Sequence, residues 1–291
     1  MNILLISGHY IKSKRKAGFH WLAQALWEMG HTITFMTTGI SWLSHLTKDH
    51  RLQYTSFKKE TNKLIEIDKG FYSYIHFPLW HPVAMPVSFL DSIANPCWRA
   101  YPSFPLSRSF TEVVRSADAF IYESMNGLFF LERFNKLNPD ALKIYRASDD
   151  IRTHRSTSAR LIKIENSSLS LFDLISVPHR FLMKTKFKEC PNARLHYHGI
   201  RKKLFDEDCP SPYPNSKNCV FVGVSLFDEF FINVASEHFP QCKFTIIGPF
   251  QQNVNRENIN YIGEIPFIET LPYIKHADVG LATLRYKNRH S

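Results

Sequence analysis

Cys219-Val-Phe-Val-Gly223, Phe244-Thr-Ile-Ile-Gly248, Ile259-Asn-Tyr-Ile-Gly263 and Asp278-Val-Gly-Leu-Ala-Thr283 are short apolar runs spaced along the C-terminal part of the chain. Helical segments separate them, one around Phe230–Phe239 and an amphipathic one after Gly263. Apolar strands alternating with helices predict a parallel sheet that takes ligands at the carboxyl edge of its strands. Eight residues follow Thr283, too few for a further strand and helix, so this second domain is expected to be incomplete.

The N-terminal part repeats the pattern. Ile3–Ser7 reads as a strand, Phe19–Met29 as a helix stopped by Gly30, and Thr32–Thr37 as the next strand, which makes a βαβ unit. Further strands are expected at Ala119–Glu123, Lys143–Arg146 and Leu174–Val177, with helices at Gly127–Asn135 and Ala159–Leu171. The fold class is therefore α/β, with two Rossmann-like domains facing a cleft. The polar, proline-rich stretch from Asn192 to Asn218 reads as the linker, with a boundary near Phe205 that gives domains 1–205 and 206–291.

The totals narrow the function classes. With 291 residues and 44% hydrophobic content the chain can bury a real core. Its five cysteines form no C-x-x-C pair, which argues against a disulfide framework or a structural zinc and for a reducing compartment. Met1-Asn-Ile-Leu-Leu-Ile-Ser7 lacks the basic leader of a signal peptide, and no apolar run reaches the roughly 18 residues of a membrane span. A net charge of +10 points to an anionic partner. Zinc-finger spacing, RNP-type strands and basic-zipper heptads are missing, so nucleic acid is not the expected one. Residues 71–106 combine many aromatics with prolines, and proline is expected to prevent a long helix there. These aromatics either sit at a membrane interface or fill the first domain's core.

Tyr145-Arg-Ala-Ser-Asp149-Asp150 ends a strand and precedes a helix. A carboxylate at that edge can take the proton of a hydroxyl attacking an anomeric carbon, or it can simply cap the helix. The loop carrying Lys12, Lys14, Arg15 and Lys16 leads into a helix N-terminus beside His9, a place for a diphosphate or a solvated basic loop. The glycine fingerprint of dinucleotide binding is missing. His196 and His198 share a strand face, but no carboxylate or cysteine stands at a spacing that would complete a metal site. Glu264 follows a strand of the second sheet and either holds a ribose hydroxyl or is an ordinary surface glutamate.

At these segments the chain resembles the GumK-like glucuronosyltransferases of xanthan-type exopolysaccharide synthesis, which have the GT-B fold. The resemblance runs end to end. It is carried by Ser7-x-His9, Phe19-His20, Glu123-Ser124, Tyr145-Arg-Ala-Ser-Asp149, His198-Gly199, Leu226-Phe-Asp228, Phe230-Phe231, Ala235-Ser236, Phe239-Pro240, Tyr261-x-Gly263-Glu264 and Tyr273-Ile-Lys-His-Ala277. It implies an inverting, metal-independent transfer of glucuronate from UDP-glucuronate to a polyprenyl-diphosphate-linked oligosaccharide. The implied place is an anionic membrane surface, the cytoplasmic face of the bacterial inner membrane. Asp149 would be the general base, Asp228 and Glu264 would lie near the donor with Ser225 and Ile265 beside them, and no cofactor is implied. The chain departs from the pattern at Arg201, where an acidic residue is expected, and at Leu284, where a tyrosine is expected to pack by the uracil, although Tyr286 is close by in sequence. A Ser-Met-Lys type segment that grips the diphosphate would lie past Ser291, so turnover by this chain alone is expected to be low or absent. Two other readings stay open: a non-catalytic chain that binds lipid-linked saccharide or anionic membrane, and a GT-B transferase using another nucleotide sugar.

Overall fold

Eight strands build the sheet of the first unit: β1 (Asn2–Ser7), β2 (Thr32–Thr37), β3 (Leu64–Asp68), β4 (Phe71–Ile75), β5 (Ala119–Glu123), β6 (Leu142–Arg146), β7 (Leu174–Val177) and β8 (Ala193–Leu195). After their first residue, β1 and β2 are buried along their whole length, as expected of strands covered on both faces of a parallel sheet. In this computed structural model the chain divides into Met1–Gly199 and Ile200–Ser291, a division ahead of Phe205. Residues 1–85, 88–154, 157–215, 217–224, 227–253 and 255–283 are described, with the backbone alone at 88, 89, 91 and 92.

The strand order is β3-β4-β2-β1-β5-β6-β7-β8, parallel throughout except for the edge strand β3. From β1 the chain works outward through β2 to β4, then returns to β5 and works outward the other way. The carboxyl ends of β1 and β5 therefore flank a topological switch point, where open α/β sheets hold their ligands. Alternation along β1 sends Ile3 and Leu5 to one face, under Phe19 and Ala23 of the helix Gly18–Glu28, and Leu4 and Ile6 to the other. That second face packs Tyr74, Phe110, Phe120, Phe130 and Phe134, with Tyr74 and Phe110 stacked at 3.8 Å.

One expectation about residues 71–106 is corrected. A 13-residue helix, Ser88–Ala100, runs through the stretch with Pro96 inside it. One internal proline removes one hydrogen bond at a cost of about 3 kcal/mol, and burial of Ala94 and Trp98 beside Tyr101 offsets it. Trp80 Nε1 also donates to the Cys97 carbonyl at 3.2 Å, which ties the preceding segment to this helix. Phe71, Tyr74, Trp98 and Tyr101 are buried, so these aromatics fill the core. Besides Leu90 and Ile93 on this helix, large apolar side chains that reach solvent nearby include the loop residues Trp42, Leu43, Leu46 and Leu79. The latter lie on two adjacent loops joined by Trp42 N–H to the Pro78 carbonyl (3.0 Å) and by the Ser41 hydroxyl to His81 Nδ1 (2.8 Å).

The second unit holds β9 (Asn218–Val222), β10 (Lys243–Ile247), β11 (Ile259–Gly263) and β12 (Val279–Gly280) in the order β11-β10-β9-β12, all parallel. Helices Glu229–His238 and Phe267–His276 accompany it. Gly248 ends β10 at φ +155°, where any Cβ would fall on the Gly223 carbonyl oxygen and the Phe250 ring. Only glycine lets the carboxyl ends of these strands approach so closely. The α/β class with parallel sheets in both parts of the chain is as expected.

Candidate active site

The Ser148-Asp149-Asp150 segment leaves β6 at its carboxyl end, and its two carboxylates divide the work. Asp150 is the cap: Oδ1 accepts from the Arg152 amide at 3.1 Å and Oδ2 meets Arg152 Nη2 at 2.6 Å, with Lys186 Nζ 3.7 Å from Oδ1. The hydrogen bond from Arg152 brings its carboxyl down to about 2. Asp149 is left free of capping. Its side chain is 65% exposed, its amide donates to the Ser124 hydroxyl at 3.3 Å, and its Oδ2 lies 3.7 Å from His154 Nε2. The His154 imidazole, helped by the charges of His198 and His179, holds Asp149 below the usual carboxylate range, and Asp149 in turn raises His154. Asp149 is thus an ionised, reachable base at the sheet edge.

Beneath it, Glu165 is buried and accepts from the Tyr145 hydroxyl at 2.5 Å and from Lys186, itself 6% exposed. Lys186 therefore links the strand, the helix Ala159–Ser168 and Asp150. Arg146, at the end of β6, donates to the Ser176 hydroxyl (2.6 Å), the His196 carbonyl (2.9 Å) and His198 Nδ1 (3.3 Å). His196 and His198 thus turn toward Ser176 and Arg146, and burial followed by the Arg146 charge lowers His198.

The basic loop is more committed than its composition suggests. Lys12 Nζ pairs with Glu60 at 2.5 Å, and Lys16 Nζ donates to the Ile11 carbonyl with its basicity lowered by desolvation. Lys14 is exposed while its amide donates to the Tyr54 hydroxyl, and the Arg15 amide donates to Ser13 Oγ. Behind the loop, His20 is buried and neutral, brought down to about 4 by burial. The Ala17 amide donates to its Nδ1 (3.0 Å), so Nε2 carries the hydrogen and donates to the Tyr10 carbonyl (2.9 Å). His9 stands next to it, rings 5.4 Å apart, with Nε2 3.5 Å from Glu123 Oε1. The start of this helix also approaches His198, since a Cβ at Gly18 would lie 3.7 Å from His198 Nδ1.

In the second unit, Asp228 caps the helix Glu229–His238 by accepting from the Phe231 amide at 3.2 Å. Glu264, exposed, and Ile265, half-buried, follow β11; Ser225 lies outside the described residues. Sequence reasoning missed a neighbouring group: Glu229 Oε1, the Tyr261 hydroxyl and Thr283 Oγ1 are buried atoms with no hydrogen-bond partner among the described residues. Burial, then the Glu229 charge, raises the Tyr261 phenol. A cleft of about 290 Å3 lined by Arg115, Asp118, Asn138 and Asp140 lies at the opposite, amino-terminal edge of the first sheet and holds none of these groups.

Residues 5–178, more than half of the chain, match the family described as glucuronosyltransferase GumK, N-terminal domain. The matched span contains His9, Glu123 and Asp149. The chain belongs to this family. As a GumK-family member it is a glycosyltransferase, and over 286 residues it is 29% identical to the UDP-glucuronate:glycolipid 2-beta-glucuronosyltransferase of Xanthomonas campestris pv. campestris. That match covers 96% of this chain and 68% of the relative. Among solved structures, the GumK-family chain is similar to UGT89C1 of Arabidopsis thaliana complexed with quercetin, at 13% identity and a TM-score of 0.48 over 96% of this chain and 72% of that one. It is also similar to the glycosyltransferase SsfS6 of Streptomyces sp. SF2575 complexed with thymidine diphosphate, at 10% identity and a TM-score of 0.43 over 96% of this chain and 75% of that one.

Proposed function

We propose, against the expectation of low or absent turnover, that this chain transfers glucuronate, with inversion, from UDP-glucuronate to a polyprenyl-diphosphate-linked oligosaccharide in exopolysaccharide synthesis. The observation that carries the reading is the division of labour between Asp150, which caps, and Asp149, which is exposed at the carboxyl edge, caps nothing and is held in its ionised form by His154. An acceptor hydroxyl gives its proton to Asp149 as its oxygen attacks the anomeric carbon. The bond from that carbon to the UDP oxygen breaks, and the electron pair leaves with UDP.

On the donor side, Glu229, Tyr261 and Thr283 offer polar atoms in want of partners, in the same unit as Asp228, Glu264 and Ile265; the proposed donor role of Ser225 falls outside the described residues. The name of the Xanthomonas relative gives UDP-glucuronate and a glycolipid as that protein's donor and acceptor; for this chain both are part of the proposal. A peripheral place on an anionic membrane, at the cytoplasmic face of the inner membrane, is supported by the net charge of +10 and by exposed Trp42, Leu43, Leu46 and Leu79 next to exposed Lys48.

Calorimetric titration of the purified chain with UDP-glucuronate tests the donor half. Saturable binding at least tenfold tighter than that of UDP-glucose is expected; equal or tighter binding of UDP-glucose would replace glucuronate in the proposal.

A further inference from the structure

Glu123 is a buried carboxylate that the transfer described above does not use. It closes β5 at the switch point, 3% exposed, beside the equally buried Ser7 that closes β1. The Ser7 hydroxyl donates to Glu123 Oε2 at 2.5 Å and accepts from the His9 amide at 2.9 Å, which curls the turn after β1 so that the His9 ring comes back over the strand end. His9 Nε2 then lies 3.5 Å from Glu123 Oε1. The turn is pinned from elsewhere too, by Thr37 Oγ1 donating to the His9 carbonyl (2.8 Å) and Arg51 Nη1 to the Gly8 carbonyl (2.5 Å).

Burying a carboxylate costs several kcal/mol unless its oxygens are satisfied. Here a hydroxyl takes one oxygen and the imidazole faces the other. A purely structural pair would bury both members, but the His9 side chain is 32% exposed against 5% for Glu123. The pair at Asp149 has the opposite arrangement, with the carboxylate more exposed (65%) than its histidine (44%). In each pair one member is supported from behind and the other is presented outward. With Nε2 on the Glu123 side at 3.5 Å, Nδ1 is the other ring nitrogen, for which the described residues supply no hydrogen-bond partner. A nitrogen lone pair backed by a buried anion receives hydrogen-bond donors and turns away anions.

We propose that His9 Nδ1 accepts a hydrogen bond from a hydroxyl of the incoming saccharide and so orients the acceptor at the site of Asp149, with Glu123 as the positioning residue that fixes the His9 tautomer. The two sites share an edge: Asp149 is held to Ser124, the residue after Glu123. This departs from the anion-binding expectation for His9, and for its ligand class it rests on the transfer reading above.

Long-range proton–nitrogen NMR of the His9 ring in the full chain tests it, with methyl hexosides (gluco, galacto and manno) as probes and inorganic phosphate as the anionic control. The expected result is the Nε2–H tautomer, an Nδ1 resonance that moves with at least one hexoside and not with phosphate, and loss of both properties in Glu123→Gln. In transfer assays Glu123→Gln and His9→Ala should each raise the acceptor KM about tenfold, the worth of one hydrogen bond to a neutral partner, with donor affinity unchanged. An Nδ1–H tautomer, a response to phosphate alone, or a hexoside response that persists in Glu123→Gln would overturn the proposal. Failure of glucuronate transfer by the wild-type chain, with the hexoside response intact, would remove the proposed donor and leave the role of His9 standing.

Discussion

Asp149→Asn lowers the rate of glucuronosyl transfer by about a thousandfold, within the range expected for losing a positioned general base. The amide keeps the shape and can still accept a hydrogen bond, but it cannot take a proton at neutral pH. Because the side chain is exposed and caps nothing, melting temperature and UDP-glucuronate affinity should stay at the wild-type values. The pH profile adds a second check. His154 holds the Asp149 carboxyl below its ordinary value, so the base form persists as pH falls and the acid limb of the rate should lie below the usual carboxylate range of about 4. Asp150→Asn should behave differently, loosening the Ile151–Thr153 turn it caps and affecting rate through Asp149's position. A rate for Asp149→Asn above a tenth of wild type, measured with saturating donor, would take the base role away from this residue.

Glu165→Ala or Lys186→Ala alone should cost about 3–5 kcal/mol of stability, because each leaves a buried charge without its partner. Glu165 is fully buried and Lys186 nearly so, and the Tyr145 hydroxyl gives Glu165 its further hydrogen bond. The double replacement Glu165→Met, Lys186→Met removes both charges, fills the same volume and should recover most of the loss. Urea unfolding read by circular dichroism measures all three. Losses below about 1 kcal/mol for both single variants would mean that water reaches the pair and screens it. Lys186 also faces Asp150, so the stable double variant should still transfer more slowly, and its Asp149 loop is the place to look for the change.

Much of the sheet was legible because burial on both faces writes itself as an unbroken apolar run. Ile3–Ile6 and Ala119–Tyr122 read this way, Thr32–Thr37 and Leu174–Val177 do so with threonine or serine interspersed, and all lie in strands. The hairpin of β3 and β4 was not legible. Leu64-Ile-Glu-Ile-Asp68 is a partly exposed edge strand with alternating charges, and its turn depends on Gly70 at φ +74°. The helix Ser88–Ala100 was hidden by Pro96, whose local cost is outweighed by core contacts that only the tertiary fold supplies.

Site residues divide in the same way. The position of Asp149 after a strand was legible, but Ser-Asp-Asp alone could not say which carboxylate caps; the contacts of Arg152 and Lys186 decide it. The support of His9 by Glu123, and of Asp150 by Glu165 and Lys186, joins residues far apart in sequence, which spacing cannot show. The basic loop misled in the opposite sense, since Glu60 neutralises Lys12 from a distant helix. The aromatic stretch followed the plainer of its two readings, and the exposed apolar loops around Trp42 and Leu79 carried no comparable signal in the sequence.

The measurement that bears most directly on the reaction itself is transfer of radiolabel from UDP-glucuronate, UDP-glucose and UDP-galactose, in parallel, into the polyprenyl-diphosphate-linked saccharides of bacterial membranes, with purified wild-type chain and Asp149→Asn. Label from UDP-glucuronate alone, entering the lipid fraction in a β linkage and lost in the variant, is the result the account predicts. Label from another donor, an α linkage, or equal incorporation by wild type and variant would contradict it.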